Sequence, residues 1–268
     1  MRGMSLQVLA NFRVIDESPD WIVVDKAAPL IVHPANRKPE PTLLGGLEQL
    51  LAYEIQNGGH LGIITRLDRE TSGLVLVAKT LAAARELGWI FERREAKKEY
   101  LAIVRGWPGE DSWECDEPIR RAGELGPATI WVKQVTHPLG RVCRTRFLVE
   151  QRFLRNNQQF SQIRCFPETG RMHQIRVHLA CCGHPIVGDK LYSGDGAEYL
   201  EWMVTGWTPK LEGQLLLPRH ALHAAVLEIG WHGRLLRWQA PLPQDLAEFR
   251  EGKEITETPG LVIWSRGD

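Results

Sequence analysis

An uninterrupted apolar run, Leu74-Val75-Leu76-Val77-Ala78, constrains the fold of this chain more than any other segment. Its length and its valines are typical of a buried strand. A charged segment, Arg66–Glu70, precedes it, and a Thr-Ser-Gly turn joins the two. We therefore expect a charged loop held rigidly at the end of a buried strand. Asp68 is the side chain of this loop that is best suited to take part in a reaction. The alternative is that Asp68 or Thr71 only organises a turn while the neighbouring arginines are solvated.

The distribution of charge along the chain is more informative about binding partners than the net charge is. The 268 residues carry a formal net charge of zero, with 43% hydrophobic and 25% charged residues, as in ordinary soluble globular proteins. Between Arg141 and Arg176 there are eight arginines and two glutamates, whereas residues 241–268 hold six acids and three bases. The basic segment favours a localised anionic partner. A set of solvated strand and helix faces is the alternative.

Patterns along the chain predict one mixed α+β domain over residues 12–250, between an N-terminal tail, 1–11, and an acidic C-terminal tail, 251–268. The expected sheet is mixed or mostly antiparallel and is flanked by helices and loops. Strands are predicted at 12–15, 21–24, 99–105, 142–153, 160–166, 222–229 and 235–238. Helices are predicted at 43–54 with Thr42 as its cap, at 81–94, and at 171–182 with Met172, Ile175, Leu179 and Cys182 on the core face. Residues 191–218 are expected to be irregular.

Cysteine usage and the absence of targeting segments indicate a cytoplasmic protein. The five cysteines are odd in number, two are adjacent, and no C-x-x-C pair occurs. This pattern argues against a disulfide framework or a zinc ribbon and favours reduced thiols. No apolar run approaches the length of a membrane span, and the first twelve residues lack the features of a secretory signal.

Several kinds of chemistry can be excluded from the motifs. His173 and His178 are five residues apart, not the four that places two histidines on one helix face, so we expect no metal site. Ser72 lacks the G-x-S-x-G context, and neither a P-loop nor a dinucleotide fingerprint is present. The remaining candidates are one aspartate, arginines, a tyrosine and histidines, with no metal or organic cofactor. Such a set suits nucleophilic carboxylate or general acid–base chemistry on an anionic substrate.

Five segments in order resemble the RluA-type RNA pseudouridine synthases, over residues 12–250. The signature segment of that family resembles Arg66-Leu67-Asp68-Arg69-Glu70-Thr71-Ser72-Gly73-Leu74, and its second motif resembles Lys98-Glu99-Tyr100-Leu101-Ala102. The third motif resembles Gly170–Leu179 followed by Gly183–Asp189. The first of the five segments in chain order is Val23–Lys26 together with His33-Pro34, and the last is Leu222-His223-Ala224.

The resemblance implies the pseudouridine synthase catalytic fold and the isomerisation of uridine to pseudouridine within RNA, without metal or cofactor. In that reaction the uracil is cut from C1′ at N1, turned and rejoined through C5. By resemblance, Asp68 is the catalytic carboxylate, Tyr100 lies against the uracil and assists proton removal, and Arg176 is the basic partner of the aspartate. A nearby guanidinium keeps a desolvated carboxylate ionised, which is the form that acts as a nucleophile.

The resemblance also implies RNA contacts. The target base must leave its stack before its glycosidic bond can be reached. Arg66 matches the arginine that occupies the space of the extruded base, since a planar guanidinium can stack on bases. The expected partner is a structured ribosomal or transfer RNA, bound by a monomer without a protein partner or membrane. The further RNA-binding residues implied are Arg69, Thr71, Arg171, His173, Gln174 and His223.

The chain departs from the family pattern at several positions. Thr65 stands where His is usual, and Met172 where Thr or Ser is usual; Ala27 and Pro29 replace the expected Pro and Gly of the first loop. The chain also begins too close to its first strand for a separate N-terminal RNA-binding domain, so target recognition is expected from the catalytic domain. Two alternatives stay open: a non-catalytic RNA-binding protein of the same fold, and a hydrolase that uses Asp68 on a phosphorylated or nucleoside substrate.

Overall fold

This computed structural model describes residues 11–34 and 40–253, which contain twelve strands, seven α-helices and one short 3₁₀ helix, Ala122–Glu124. The predicted tails therefore lie almost wholly outside the described residues. The strands are β1 Phe12–Glu17, β2 Trp21–Lys26, β3 Gly62–Ile63, β4 Ser72–Ala78, β5 Lys97–Arg105, β6 Ser112–Cys115, β7 Ile119–Arg121, β8 Gln134–Thr136, β9 Thr145–Arg155, β10 Gln158–Pro167, β11 Leu222–Trp231 and β12 Arg234–Gln239. The helices are α1 Leu43–Leu50, α2 Ala52–Gln56, α3 Leu81–Glu92, α4 Gln174–Cys181, α5 Ala197–Thr205, α6 Pro209–Leu215 and α7 Gln244–Arg250.

The described residues divide into two compact units. The first comprises residues up to Ala96 together with Leu227–Ala240, and the second comprises Lys97–Val226 with the residues from Pro241 onward. Strand β11 contributes its first half to the second unit and its second half to the first. The seven strand pairs β1–β2, β2–β4, β3–β4, β5–β10, β9–β10, β6–β9 and β7–β8 are antiparallel, which confirms the predicted mostly antiparallel α+β class.

In the first unit, β4 is the central element. All seven of its residues are buried, as the apolar run predicts. It pairs antiparallel with β2, where Val24 lies opposite Val75, and also with β3. Trp21 packs edge-on against Trp231 and Trp238, at ring-centroid distances of 5.6 and 6.1 Å. Each edge-to-face aromatic pair contributes about 0.5–1.5 kcal/mol beyond the burial of its surface.

The second unit is built on β5, β10, β9 and β6, paired antiparallel in that order. Its core contains Phe147, Phe160 and Phe249, each almost fully buried. Strands β7 and β8 form a separate two-stranded sheet. Helix α4 packs against β8, β9 and β10, so the third sequence motif lies where the two sheets of this unit meet one helix.

Two expectations from the sequence are wrong. Residues 191–218 are not irregular, because they contain α5 and α6. Thr208 caps α6 by accepting a hydrogen bond from the Leu211 N–H at 3.3 Å, and Pro209 follows in the first turn. This Thr-Pro pair is a helix-start signal.

The start of α4 is the second correction. The predicted helix begins at 171, but the observed helix begins at Gln174 because His173 has a φ of +57°, in the left-handed region. Met172 therefore precedes the helix and is 42% exposed, and does not lie on a core face as expected. The helix end and the burial of Ile175 and Leu179 agree with the prediction.

Candidate active site

The loop that carries Asp68 is fixed by backbone hydrogen bonds in the first unit. The Thr71 N–H donates to the Asp68 carbonyl at 3.1 Å and closes a tight turn. The Arg69 carbonyl accepts from the Leu30 N–H at 2.9 Å and from the Lys26 Nζ at 3.2 Å. Lys26 is fully buried. A buried ammonium needs acceptors inside the protein, so this lysine ties the turn to β2.

The side chains of this loop differ in exposure. Arg66 is exposed and Asp68 is half-buried, whereas Thr71 is buried. Arg69 forms an ion pair with Glu40, at 3.1 Å between Nη1 and Oε2. The turn therefore presents a carboxylate that is partly shielded from solvent beside a solvent-accessible guanidinium.

Thr65 has a defined structural role although it departs from the family pattern. Its Oγ1 accepts a hydrogen bond from the Leu76 N–H at 2.9 Å, and its own N–H donates to the Leu76 carbonyl at 3.2 Å. Leu76 is fully buried in β4. The threonine hydroxyl thus extends the pairing of β4 beyond β3 and connects the start of the Asp68 loop to the buried strand.

Tyr100 lies on β5 in the second unit, opposite Cys165 of β10. It is half-buried and packs against the apolar core of that unit. Lys98, two residues earlier, donates from Nζ to the Thr169 carbonyl at 3.4 Å, and burial lowers the pKa of its ammonium. The second motif is thereby connected to the residues just before the third. From the sequence, Lys98 was expected to complement the C-terminus of the helix at 81–94 and was not assigned to the site.

Arg176 makes a buried two-pronged ion pair with Asp189. Its Nε donates to Oδ2 at 2.7 Å and its Nη2 to Oδ1 at 2.9 Å. The side chains are 7% and 0% exposed. Asp189 Oδ1 also accepts from the N–H groups of Leu191 and Tyr192 at 3.0 and 3.2 Å. Sequence reasoning did not assign Asp189 to the site, although it ends the quoted third motif.

Gly188 sets the position of Asp189. Its φ is +76°, and a Cβ at this position would lie 2.0 Å from the Arg219 carbonyl oxygen. Only glycine combines the left-handed backbone with so close an approach of another chain segment. The backbone before Asp189 is therefore locked, and Arg176 is held by a partner that cannot shift easily.

His173 and Tyr192 connect the start of α4 to the β7–β8 sheet. His173 Nδ1 lies 2.8 Å from the Tyr192 hydroxyl, which also accepts from the Gln134 N–H at 2.9 Å. The Tyr192 ring lies 5.0 Å from the guanidinium carbon of Arg176. Tyr192 thus contacts two predicted site residues and was missed by sequence reasoning. Only its position three residues after Asp189 could have drawn attention to it.

The Gln174 side-chain amide makes all of its hydrogen bonds within the protein. Its Oε1 accepts from the Thr169 hydroxyl at 2.6 Å and the Arg171 N–H at 3.0 Å. Its Nε2 donates to the Arg144 carbonyl at 3.0 Å and to Thr145 Oγ1 at 2.9 Å. A side-chain amide can donate two hydrogen bonds from its nitrogen and accept two at its oxygen, so these four bonds satisfy it. Its RNA-binding role stays a prediction.

Two buried histidines lie at the start of β11. His223 is 1% exposed and His220 is 2% exposed. Burial, followed by the nearby positive charges of Arg176, Lys190 and Arg219, holds the pKa of His220 well below its ordinary value. His220 is therefore neutral at physiological pH. The RNA-binding role implied for His223 stays a prediction.

The predicted site residues are distributed over both units. The first unit holds Arg66, Asp68, Arg69 and Thr71 on one loop. In the second unit, Arg171, His173, Gln174 and Arg176 gather at the start of α4, and Tyr100 and His223 lie on β5 and β11. Among residues 11–34 and 40–253, no group of three or more His, Cys, Asp or Glu side chains is arranged to hold a metal ion. None of the described helices is long and apolar enough to cross a bilayer.

Comparison with known proteins identifies the family. Residues 20–181 match the family model described as RNA pseudouridylate synthase. The chain belongs to that family. The matched segment contains Asp68, Tyr100 and Arg176, and the resemblance to RluA-type synthases is confirmed.

Curated relatives agree with this assignment. The chain is 35% identical over 237 residues to ribosomal large subunit pseudouridine synthase D of Nitrosomonas europaea, covering 88% of this chain and 63% of that protein. It is 34% identical over 249 residues to the protein of the same name from Escherichia coli strain K12, covering 89% and 69%. The chain thus spans about two thirds of the length of these relatives.

Solved structures confirm the fold. The human RNA pseudouridylate synthase domain containing 4 superposes with a TM-score of 0.67 at 24% identity, covering 88% of this chain and 92% of that one. The human RNA pseudouridylate synthase domain containing 1 gives a TM-score of 0.64 at 23% identity, covering 94% and 96%. The predicted pseudouridine synthase fold is therefore correct.

Replacing Thr65 by valine tests its structural role. Thr65→Val keeps the shape but leaves the buried Leu76 N–H without its acceptor, so we expect the free energy of unfolding to fall by about 1–3 kcal/mol. Urea denaturation of wild type, Thr65→Val and Thr65→Ser measures this. The serine control keeps the oxygen and should lose much less. Equal stability of the valine and serine variants would contradict the role.

Proposed function

We propose that this chain is an RNA pseudouridine synthase that isomerises uridine to pseudouridine, with Asp68 as its catalytic carboxylate. The observation that carries the proposal is the match to the RNA pseudouridylate synthase family over a segment that includes Asp68. Ribosomal RNA is the favoured substrate, because the relatives reported above are named for the large ribosomal subunit. Transfer RNA is the second candidate substrate, and the cytoplasm is the expected location.

The setting of Asp68 suits a nucleophile. Its turn is anchored through the Arg69 carbonyl to Leu30 and to the buried Lys26. A reactive carboxylate that is held on a rigid support loses little entropy on reaching its target. Its partial burial strengthens electrostatic interactions with an electron-poor ribose or uracil carbon. Neither feature depends on a metal or organic cofactor.

Tyr100 and Arg176 are proposed to act in the same reaction. Tyr100 projects from a strand whose pairing with β10 is regular, which suits a ring that supports a flat base. Arg176 is held rigid by Asp189, and a rigid cation stabilises a negative charge at no cost of reorganisation during the reaction. Asp189 and Tyr192 are then positioning residues for Arg176.

RNA contacts are proposed for the accessible polar side chains. Arg66 is exposed and Arg171 and His173 are half-exposed, so each can meet a phosphate or a base. Arg69 can exchange Glu40 for a phosphate group. Thr71, Gln174 and His223 are buried, so the RNA-binding role predicted for them is proposed to act by shaping the surface that the RNA meets. We expect a monomer to be sufficient for binding.

Substitution of Asp68 tests the catalytic proposal. Asp68→Asn should lower the rate of tritium release from C5-labelled uridine in ribosomal RNA on the order of 1,000-fold or more, because an amide is not nucleophilic. Glu70→Gln is the matched control, since it removes a carboxylate from the same loop, and it should keep most activity. A wild-type protein that binds ribosomal RNA well and forms no pseudouridine in any cellular RNA would show a non-catalytic RNA-binding protein instead.

Substitution of Arg66 separates catalysis from binding. Arg66→Ala should slow single-turnover conversion about 10–100-fold while weakening RNA affinity by less than about threefold, because its proposed task is to occupy the space of the extruded base. Arg69→Ala is the control that loses the same charge from the same loop. It should weaken binding and reduce the salt dependence of affinity by about one phosphate contact. Equal losses of rate and affinity for Arg66→Ala would contradict the proposed task.

Arg176 can be compared with a second pair of the same geometry. Arg219 binds Asp245 with Nε at 2.7 Å and Nη2 at 2.9 Å, and the side chains are 4% and 1% exposed. Removal of either cation leaves a buried carboxylate, so Arg176→Met and Arg219→Met should each destabilise the protein by about 3–5 kcal/mol.

Lysine substitutions at the two arginines distinguish a catalytic role of Arg176 from a purely structural one. Arg176→Lys and Arg219→Lys should lose similar amounts of stability, measured by thermal unfolding. Only Arg176→Lys should lower kcat strongly at a temperature where both variants are folded. If kcat falls equally in both, Arg176 acts through the fold alone.

A further inference from the structure

Trp131 is a large aromatic side chain to which the proposed reaction gives no task. It lies in residues 119–136, the β7–β8 arm, which comprises the two strands of the small sheet and the 3₁₀ helix that follows β7. Its side chain is 52% exposed, whereas the preceding Ile130 is buried. A single exposed apolar residue needs no explanation by itself. The support and the charge around this indole set it apart.

The indole of Trp131 is held in place by the opposite side of the arm. The guanidinium carbon of Arg121 lies 4.5 Å from the ring centroid, a cation–π contact. A Cβ at Gly123 would overlap three atoms of the pyrrole ring, so glycine leaves room for the indole to pack on the backbone. The Gly123 N–H donates to the Trp131 carbonyl at 3.3 Å, and the Ala122 N–H donates to the Lys133 carbonyl at 2.8 Å. The indole is thus supported while half of its surface stays open.

The arm is anchored within the second unit on both sides of Trp131. Ile130 packs in an apolar cluster with Val177 of α4 and Tyr192. Lys133 donates from Nζ to the Asp195 carbonyl at 2.6 Å, and burial lowers the pKa of its ammonium. The exposed indole therefore lies between two tethered residues. A rigid ring loses little entropy when a ligand stacks on it.

The surroundings of the indole are positively charged. Residues 118–146 contain six lysines and arginines and one acid, Glu124. Glu124 lies 3.6 Å from Arg120 Nε and 3.9 Å from Arg121 Nη1, distances longer than a hydrogen bond. Both arginines are about one third exposed, and ion pairs at such sites contribute little stability. A phosphate group can therefore replace Glu124.

We propose that Trp131, supported by Arg121, is a stacking platform for an unpaired base of RNA, and that Arg120 and Arg121 contact the adjoining phosphates. Every nucleobase has a face that stacks on an aromatic ring, and aromatic rings beside cationic side chains are typical of single-strand binding surfaces. The apolar surface of a protein partner could also cover an exposed indole. The excess of positive charge around Trp131 favours the polyanion.

The arm also contacts the candidate active site of the second unit. The Gln134 N–H donates to the Tyr192 hydroxyl, and the Tyr192 ring lies 5.0 Å from the guanidinium carbon of Arg176. The stacked base is therefore placed near the target uridine in the RNA. This placement rests on the proposed function, whereas stacking on Trp131 does not depend on catalysis.

Fluorescence anisotropy with two matched RNAs tests the platform. The probes are a labelled single-stranded oligouridine of about twelve nucleotides and the same strand annealed to oligoadenosine. Trp131→Leu should weaken binding of the single strand about 5–100-fold and of the duplex less than about twofold, because only the single strand offers an unpaired base face. Trp131→Phe keeps an aromatic ring and should retain most of the affinity. Trp89→Leu is the control, since Trp89 on α3 is 54% exposed, and it should bind as wild type.

Two neighbouring variants test the support and the charge without changing Trp131. Gly123→Ala adds a methyl group where the indole lies, so it should lower the affinity for the single strand in the same direction as Trp131→Leu. Glu124→Gln removes the acid beside Arg120 and Arg121 and should tighten binding of both RNAs about 2–5-fold, because a carboxylate repels phosphate. An unchanged affinity for both RNAs in Glu124→Gln would contradict the phosphate contacts.

A second measurement needs no variant. Ultraviolet cross-linking of wild type to the oligouridine, followed by trypsin and mass spectrometry, should yield peptide 122–133 joined to uridine through Trp131. Cross-links confined to other peptides, or equal affinity of wild type and Trp131→Leu for the single strand, would overturn the proposal and leave the indole to a protein partner. A wild-type protein that forms no pseudouridine but cross-links through Trp131 would overturn the proposed function and support the platform.

Discussion

Helix α4 is buried along the whole of Gln174–Leu179, and this constraint organises the second unit. Three of these side chains are polar, and a buried polar group without a partner costs several kcal/mol. Gln174 is satisfied by loop and strand atoms, Arg176 by Asp189, and His178 by Thr145 and the Glu117 carbonyl. Because that carbonyl can only accept, His178 Nε2 carries the proton and Nδ1 accepts from the Thr145 hydroxyl. The helix can pack here only if its partners are all in place.

The two units hold their reactive groups by different means. In the second unit, a carboxylate at Asp189 that accepts four hydrogen bonds holds Arg176. In the first unit, the Asp68 loop is held through backbone carbonyls, with the ammonium of Lys26 as a buried donor. Both arrangements place a charged group on a support that is itself fully hydrogen-bonded, which is what an electrostatically preorganised site requires.

Local signals in the sequence predicted the elements with strong patterns. The buried strand β4 follows from its apolar run, and the Thr42 cap is observed, with its Oγ1 accepting from the Gly45 N–H at 2.9 Å. Short helices were missed. Helix α5 spans nine residues and α6 seven, lengths at which an isolated helix is marginal in water, so both depend on packing against the rest of the unit. The left-handed backbone of His173, which shortens α4, likewise has no signature in the sequence.

By itself, the sequence determined the family, the mostly antiparallel α+β class and the candidate residues Asp68, Tyr100 and Arg176. These can be recognised because motifs and strand patterns are formed by residues that are consecutive in the chain. Only the tertiary structure decided which groups hold those candidates. Asp189, Tyr192 and Lys26 act across gaps in the chain. Such contacts arise when burial forces charged and polar side chains to find partners, and that condition exists only after the chain has folded.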